Sequence, residues 1–414
     1  MKKLSSTQWI GISMVVGILL GWLFPSAEYP ALFTAAKATS SVFLRMIKSL
    51  IVPLLFSTLV VGIAGHGDDM KKVGRLAFRS IVYFEIVTTV ALFLGLFAVN
   101  LVKPGAGVNL TGAQATAASA LAQTKVTFSG VIEHMVPQSF FEAATHNEVL
   151  QIVFFAILFA IGLSRTKGKA KQVMLDFCES LSEVMFKFTG LVMSFAPFGI
   201  GAAIAVTVGQ SGLTVLKSLA LLVATLYGTL IVFVLAVLIP VALVARVPVR
   251  RFWSYIKEPW LIAFSTASSE AALPLAMEQL ERFGLPKRII AFVLPTGYSF
   301  NLDGSTLYLA IASVFAAQAG GIDMSFGDQL LMMLTLMLTS KGVAAVPRAS
   351  LVILSGALTM FNLPLEAVAV ILGVDALMDM ARTSINLVGN CLATAVMARW
   401  EGEFPEHPPA ETAV

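Results

Sequence analysis

The chain has 414 residues, of which 57% are hydrophobic and only 13% charged, with a mean hydropathy of +0.86. Soluble domains carry roughly 25% charged residues, so this composition excludes a soluble globular protein and points to a chain that crosses a membrane many times. The net charge of +4 is spread over loops, where it sets topology, and gives no sign of a nucleic-acid partner.

The first apolar run, 9–24, follows Lys2 and Lys3 and imitates a signal peptide. It lacks a small-x-small cleavage site and further spans follow, so it is read as the first transmembrane helix. Segments long enough to span, at about 20 residues each, are predicted at 8–24, 40–64, 76–102, 149–163, 184–208 and 216–245. The loops after the second, fourth and sixth are basic, with Arg75 and Arg79, then Arg165 and Lys169, then Arg250, Arg251 and Lys257. The outer candidate, 103–147, holds only two lysines. An excess of Lys and Arg marks the cytoplasmic side, so both termini are expected there. The long loop, rich in Ala, Thr and Gly, is read as partly disordered or folded around a broken fourth span. Cys178 and Cys391 lie in or beside apolar runs, without disulfide or metal-ligand spacing.

After Lys257 the pattern changes. The stretch 260–280 carries a polar, small-residue cluster, STASSEAALP, and 330–358 repeats the design around TSKGVAAVP. Both read as two half-helices meeting at a tip, a re-entrant hairpin. Such backbone is tolerated at membrane depth only where protein or an aqueous cavity surrounds it. Between them, 289–318 is a span interrupted by FNLDGST. Glycine and aspartate inside an apolar helix unwind it, and freed carbonyls beside Asp303 make an oxygen-rich pocket for a hard cation or a proton. Ser268 and Ser269 offer hydroxyls and half-helix amides as a cradle for a carboxylate, although serines also serve as packing glue between helices. Interruptions repeated in two halves are the pattern of a transporter site at the bilayer midplane.

The last apolar stretch contains DALMDMARTSINLVGN. Asp375, Asp379, Arg382, Thr383, Asn386 and Asn390 recur at three or four residues, so on one helix they share an arc of roughly 100°. Ionisable groups at bilayer depth cost several kcal/mol and persist where they face a substrate path. Arg382 offers a bidentate fork for a carboxylate, Asp379 can hold an ammonium, and Thr383 and Asn386 add hydrogen bonds. Two carboxylates and one ammonium are the inventory of an acidic amino acid. A plain Asp379–Arg382 lock between helices is the alternative.

NLDGS, the two hairpin tips and DMARTSIN together resemble the dicarboxylate/amino acid:cation symporter family, the glutamate transporters, over nearly the whole chain. The resemblance implies an all-α membrane protein of eight transmembrane helices and two re-entrant hairpins. It implies scaffold helices in 1–70, a transport-domain helix in 71–105, an outer loop and further scaffold in 106–212, a transport-domain core in 213–400 and a cytoplasmic tail in 401–414. It further implies a homotrimer with an elevator mechanism, surrounded by lipid and needing no cofactor, and the compact loops point to a bacterial inner membrane. By residue, Arg382 binds the side-chain carboxylate and Asp379 the amino group, while Thr383 and Asn386 bind further polar atoms. Ser268, Ser269, Val346 and Pro347 line the site, and Ser305 stands near it.

Departures from that pattern bear on the coupled ion. Sodium-coupled members carry an aspartate where this chain has Asn390, and a tyrosine and a threonine where it has Phe84 and Val87. Glu85 and Glu270 stand where archaeal relatives have neutral residues. A proton is therefore the expected partner, with Glu270, Glu85, Asp303 and Asp375 as its candidate carriers. A sodium-coupled protein would instead use Asn301, Asp303, Asn386 and Asn390. A C4-dicarboxylate carrier is the rival within transport, disfavoured because a substrate without an ammonium has no use for Asp379. An intramembrane hydrolase lacks a nucleophile with a base: His66, His134, His146 and His407 lie in loops or tails. A receptor has no need of duplicated hairpins.

Overall fold

The computed structural model describes residues 6–24, 28–64, 70–108, 110, 136–146, 148–211, 219–339, 349–372 and 374–405. Helices make up the regular structure of these residues. The first half contains α1 (Ser6–Leu23), α2 (Pro30–Ala64), α3 (Met70–Val102), the short α4 (Phe140–His146), α5 (Val149–Arg165), α6 (Lys169–Met193) and α7 (Ala196–Ser211). Then come α8 (Ala220–Val244), α9 (Val249–Thr266), α10 (Ser269–Phe283), α11 (Lys287–Phe300) and α12 (Asp303–Ala319). The chain closes with α13 (Phe326–Thr339), α14 (Ala349–Met360), α15 (Glu366–Leu372) and α16 (Asp375–Trp400).

Among the described residues, α3 from Gly74, α8, and α11 continued by α12 are each long and apolar enough to cross a bilayer. Two expected spans differ in form. The run 184–208 is split at Ser194 and Phe195, where α6 and α7 meet at 57°. Pro197 explains the break, because it cannot donate to the preceding turn and its ring excludes helical backbone before it. The run 216–245 is one span, but five residues, Val234–Leu238, form a π-turn. Pro240 lies just beyond, and the wider turn absorbs its missing donor.

Packing sorts the helices into two neighbourhoods. α1 lies along α7, and α2 lies against α5, α6 and α7. α3 lies along α12, while α16 is embraced by α9, α11 and α12. α9 touches α1 and α7, and α10 and α11 reach α2, so the neighbourhoods meet through the first hairpin and α11. α11 and α12 are buried all round, as are nearly all positions of α16 beyond Met378. Helices with apolar residues on every face belong in a core, and these three place their few polar side chains at its centre.

The first interruption is a true turn. α9 ends at Ala267, whose backbone is left-handed at φ 49°. The Ser268 hydroxyl then caps α10 by accepting from the Ala271 amide at 3.2 Å. In the second, α13 and α14 pack together and both touch α12, and the tip between them, with Val346 and Pro347, lies outside the described residues.

Candidate functional site

The polar stripe begins at a helix end. The sequence suggests one continuous span through 375–390, but α15 stops at Leu372 and α16 starts at Asp375, which occupies its first turn. A carboxylate there faces the positive end of the helix dipole, so this part of the stripe is set at a break in the backbone.

Arg382, only 2% exposed, is held from three directions. Its Nε donates to Asp379 Oδ1 at 2.9 Å and its Nη1 to Asp375 Oδ1 at 3.1 Å. The face of Tyr308 lies 4.1 Å from the guanidinium carbon. The Tyr308 hydroxyl also donates to Asp375 Oδ1, at 3.4 Å, and the Thr383 hydroxyl donates to Asp379 Oδ1 at 2.9 Å. One cation is thus matched by two anions and an aromatic face, which offsets the cost of burial. The two carboxylates are not equivalent. Asp375 is enclosed at 5% side-chain exposure, whereas Asp379 keeps 26%. The more accessible carboxylate, Asp379, is therefore the one with room to exchange its partner.

Below it, α11 ends and α12 begins at Asn301 and Leu302, neither of which is helical. The break brings Asn301, Asp303, Ser305, Asn386 and Asn390 together in the interior. Asn386 Oδ1 accepts from the amides of Gly304 and Ser305 at 2.7 and 3.2 Å, and its Nδ2 donates to the Ser305 hydroxyl at 2.9 Å. A side chain of α16 therefore caps the start of α12. Asn301 Nδ2 donates to Asp303 Oδ2 at 3.2 Å and to Asn390 Oδ1 at 3.0 Å. Among the described residues, Asn301 Oδ1 and Asn390 Nδ2 have no hydrogen-bond partner. Two glycines make this approach possible: a Cβ on Gly304 would overlap the Arg382 carbonyl, and one on Gly389 would overlap the Asp303 carboxylate.

Of the remaining candidates, those described lie on α10 and α3. Ser268 and Ser269, half-buried, open α10, which packs on α16. Glu270 follows in the first turn of α10, close enough to Tyr298 to act on it electrostatically. Glu85 is half-buried on α3, while Phe84 and Val87 of the same helix are fully buried. Two residues escaped the sequence reading. Tyr308 lies five positions beyond Asp303, off the polar stripe, and Tyr83 has a buried hydroxyl within electrostatic reach of Asp303. An aromatic in a buried helix reads as core, so neither carried a signal.

Residues 7–400 match the family described as the sodium:dicarboxylate symporter family. The chain belongs to that family. It is therefore a carrier of the symporter type and not an enzyme. It is 42% identical over 411 residues to the proton/sodium-glutamate symport protein of Geobacillus stearothermophilus, covering 98% of this chain and 97% of that protein. The proton/glutamate-aspartate symporter of Escherichia coli (strain K12) is 41% identical over 420 residues, 97% and 94% of the two chains. The C4-dicarboxylate transport protein of Bacillus subtilis (strain 168) is 39% identical over 398 residues, 95% and 93%. This symporter accordingly has relatives named for both an acidic amino acid and a dicarboxylate.

Proposed function

We propose that this symporter takes up acidic amino acids, L-glutamate and L-aspartate, together with protons. The observation that carries the reading is Arg382, buried on the Tyr308 ring and shared between an enclosed Asp375 and a more open Asp379. A substrate with two carboxylates and an ammonium matches that set: its side-chain carboxylate takes the guanidinium, and its ammonium takes Asp379. Thr383, Asn386 and Ser305 supply further hydrogen bonds, and Ser268 and Ser269 of the first hairpin with Val346 and Pro347 of the second line the site. Relatives named for glutamate at 41–42% identity support this. The relative named for C4-dicarboxylates at 39% keeps a dicarboxylate as the second reading, against which the carboxylate of Asp379 argues, since it repels a substrate that brings no ammonium.

Glutamate is a net anion entering a site with Asp303, Asp375 and Asp379 against Arg382, so cations must accompany it. Asn390 contributes a neutral amide whose oxygen already accepts from Asn301, and the side chains of Phe84 and Val87 bring no oxygen, which disfavours a sodium cage from Asn301, Asp303, Asn386 and Asn390. Glu85 and Glu270, with Asp303 and Asp375, are the proposed proton carriers. The architecture completing this reading has eight spans and two re-entrant hairpins in a bacterial inner membrane, with both termini cytoplasmic and three copies assembled. Its scaffold comprises 1–70 and 106–212, and 71–105 with 213–400 move as an elevator; the two packing neighbourhoods favour that division. In sodium-free proteoliposomes an inward proton gradient is expected to drive glutamate accumulation, with a weaker pH response in Glu85→Gln or Glu270→Gln. Strict dependence on external sodium without response to the gradient overturns the proton assignment.

A further inference from the structure

The back of α16 faces a second cavity, of a different chemistry. On the side away from Arg382 and Asn386, the helix turns Ala381, Ile385, Val388 and Leu392 into a space of about 460 Å³ closed by α8 and α9. Its lining is apolar. The hydroxyls on its wall are engaged elsewhere: Tyr227 donates to the Leu377 carbonyl at 2.8 Å and Ser384 to the Ala381 carbonyl at 2.8 Å. A polar guest would find no partner inside, whereas an aliphatic one loses nothing on entry. The space opens sideways past Ile231 and Leu235 of α8, each 59% exposed.

The rim is different. On α9, Arg250, Trp253, Lys257, Trp260 and Phe264 recur at three and four residues and share an arc of about 80°. Trp253, Trp260 and Phe264 line the cavity, with ring centroids 5.6 Å apart for the first pair and 5.5 Å for the second. Arg250 and Lys257 are exposed on the same stripe. Arg251 points elsewhere, over the rings of Tyr255 and Phe283, and Glu258 lies roughly 80° beyond Arg250, off the stripe. From Arg250 to Phe264 the helix rises about 21 Å, half of a bilayer roughly 40–45 Å thick with its headgroups. The stripe has the profile of one leaflet: Arg250, Trp253 and Lys257 toward one end, Trp260 and Phe264 deeper, and an apolar floor at the depth of the α9 turn.

We propose that this groove is a binding site for an anionic phospholipid of the surrounding bilayer, one acyl chain lying in the cavity against the back of α16 and the phosphate held by Arg250 and Lys257. Charge complementarity selects this occupant, because an apolar groove alone would accept any chain, while two lysine or arginine side chains at its mouth favour an anionic head. Two such contacts predict a preference of roughly thirtyfold over a zwitterionic lipid of the same chains.

The test uses the full-length protein in phosphatidylcholine vesicles containing a small fraction of phospholipid with brominated acyl chains, which quench nearby tryptophan fluorescence. The signal of interest is the difference between wild type and Trp253→Phe/Trp260→Phe, which isolates the groove from the other tryptophans. Brominated phosphatidylglycerol is expected to quench that component at about one-thirtieth the mole fraction needed with brominated phosphatidylcholine, and Arg250→Gln/Lys257→Gln should remove the advantage. Both charged positions are exposed, so that variant keeps its fold, verified by an unchanged gel-filtration profile. Equal quenching by the two lipids overturns the headgroup assignment. Absence of any groove-specific quenching overturns the site, and means that protein, such as a second copy of the chain, covers it.

Discussion

Arg382 is shared between the carboxylates of Asp375 and Asp379, and this decides what each substitution does. Arg382→Ala leaves Asp375 enclosed beneath Tyr308 without its cation, and it removes the fork proposed for the substrate carboxylate. A loss on the order of 3–5 kcal/mol accompanies breaking such a pair, so uptake of glutamate and aspartate should fall to background, while a neutral amino acid such as serine becomes a better competitor. Glutamate uptake at the wild-type rate in that variant would remove Arg382 from the proposed site. Asp379→Ser acts differently, because Asp375 still neutralises the guanidinium. Binding of amino acids should weaken as succinate or malate binding is spared or improved, since only the ammonium needs a counter-anion and a dicarboxylate is repelled by one. An unchanged ratio of glutamate to succinate competition in the variant would refute the ammonium role. The spacing of the polar stripe makes Asp375, Asp379, Arg382, Asn386 and Asn390 legible, because a 3.6-residue period projects onto one face whatever the surroundings. That Asp375 shields Arg382 while Asp379 stays open is not legible: it depends on where α15 stops and on Tyr308, contributed by another helix.

Among the elements, the first hairpin shows how a serine cluster becomes a turn. STASSEAALP signals an interruption through its small polar residues, and the turn falls at Ala267 and Ser268, with the cap on Ala271. Ala267 adopts a left-handed conformation at φ 49°, which costs a non-glycine residue roughly 1–2 kcal/mol. Ala267→Gly should therefore raise the melting temperature in detergent, an increment of the order of 1 kcal/mol, while Ser268→Ala should lower it by a similar amount through loss of the cap. A fall in both variants would show that the turn is held by contacts outside its backbone. The break at Asn301 and Leu302 was legible in NLDGS for the same reason, a glycine and an aspartate within an apolar run. The bend between α6 and α7 was not. There the apolar pattern runs unbroken through 184–208, and only Pro197 marks the point where the backbone must turn.

For the whole molecule, the end of α16 fastens several helices at one edge. Arg75 Nη2 and Arg79 Nη1 of α3 reach the Glu401 carboxylate at 2.7 and 2.8 Å, and Arg79 also donates to the Trp400 carbonyl. Arg288 of α11 pairs with Glu403. Arg399 donates to the carbonyls of Ala245 and Arg246 after α8 and stacks 3.9 Å from the Phe404 ring. The helices so joined, α3, α8, α11 and α16, all fall within the part of the chain proposed to move, so the clasp would let them travel as one body. Its electrostatics fix a pH dependence. Burial pushes the Glu401 carboxyl up, but Arg75 and Arg79 together outweigh that and hold it below the ordinary carboxylate range. A carboxylate depressed in the folded state contributes stability that is fully present above its unfolded value, about 4.3 for glutamate, and lost as pH falls through the lower folded value. Because both arginines are partly exposed, the contribution is modest, roughly 1–2 kcal/mol for the pair of contacts, and is reduced by salt. Glu401→Gln should thus melt at a lower temperature than wild type at pH 7 in low salt. The difference should shrink in high salt, narrow as pH falls below the unfolded glutamate value, and close only once the pH is below the lowered folded value, where the wild-type carboxyl is itself protonated. A gap between the two melting curves that persists unchanged at low pH would assign the effect to packing of the side chain and remove charge from the clasp.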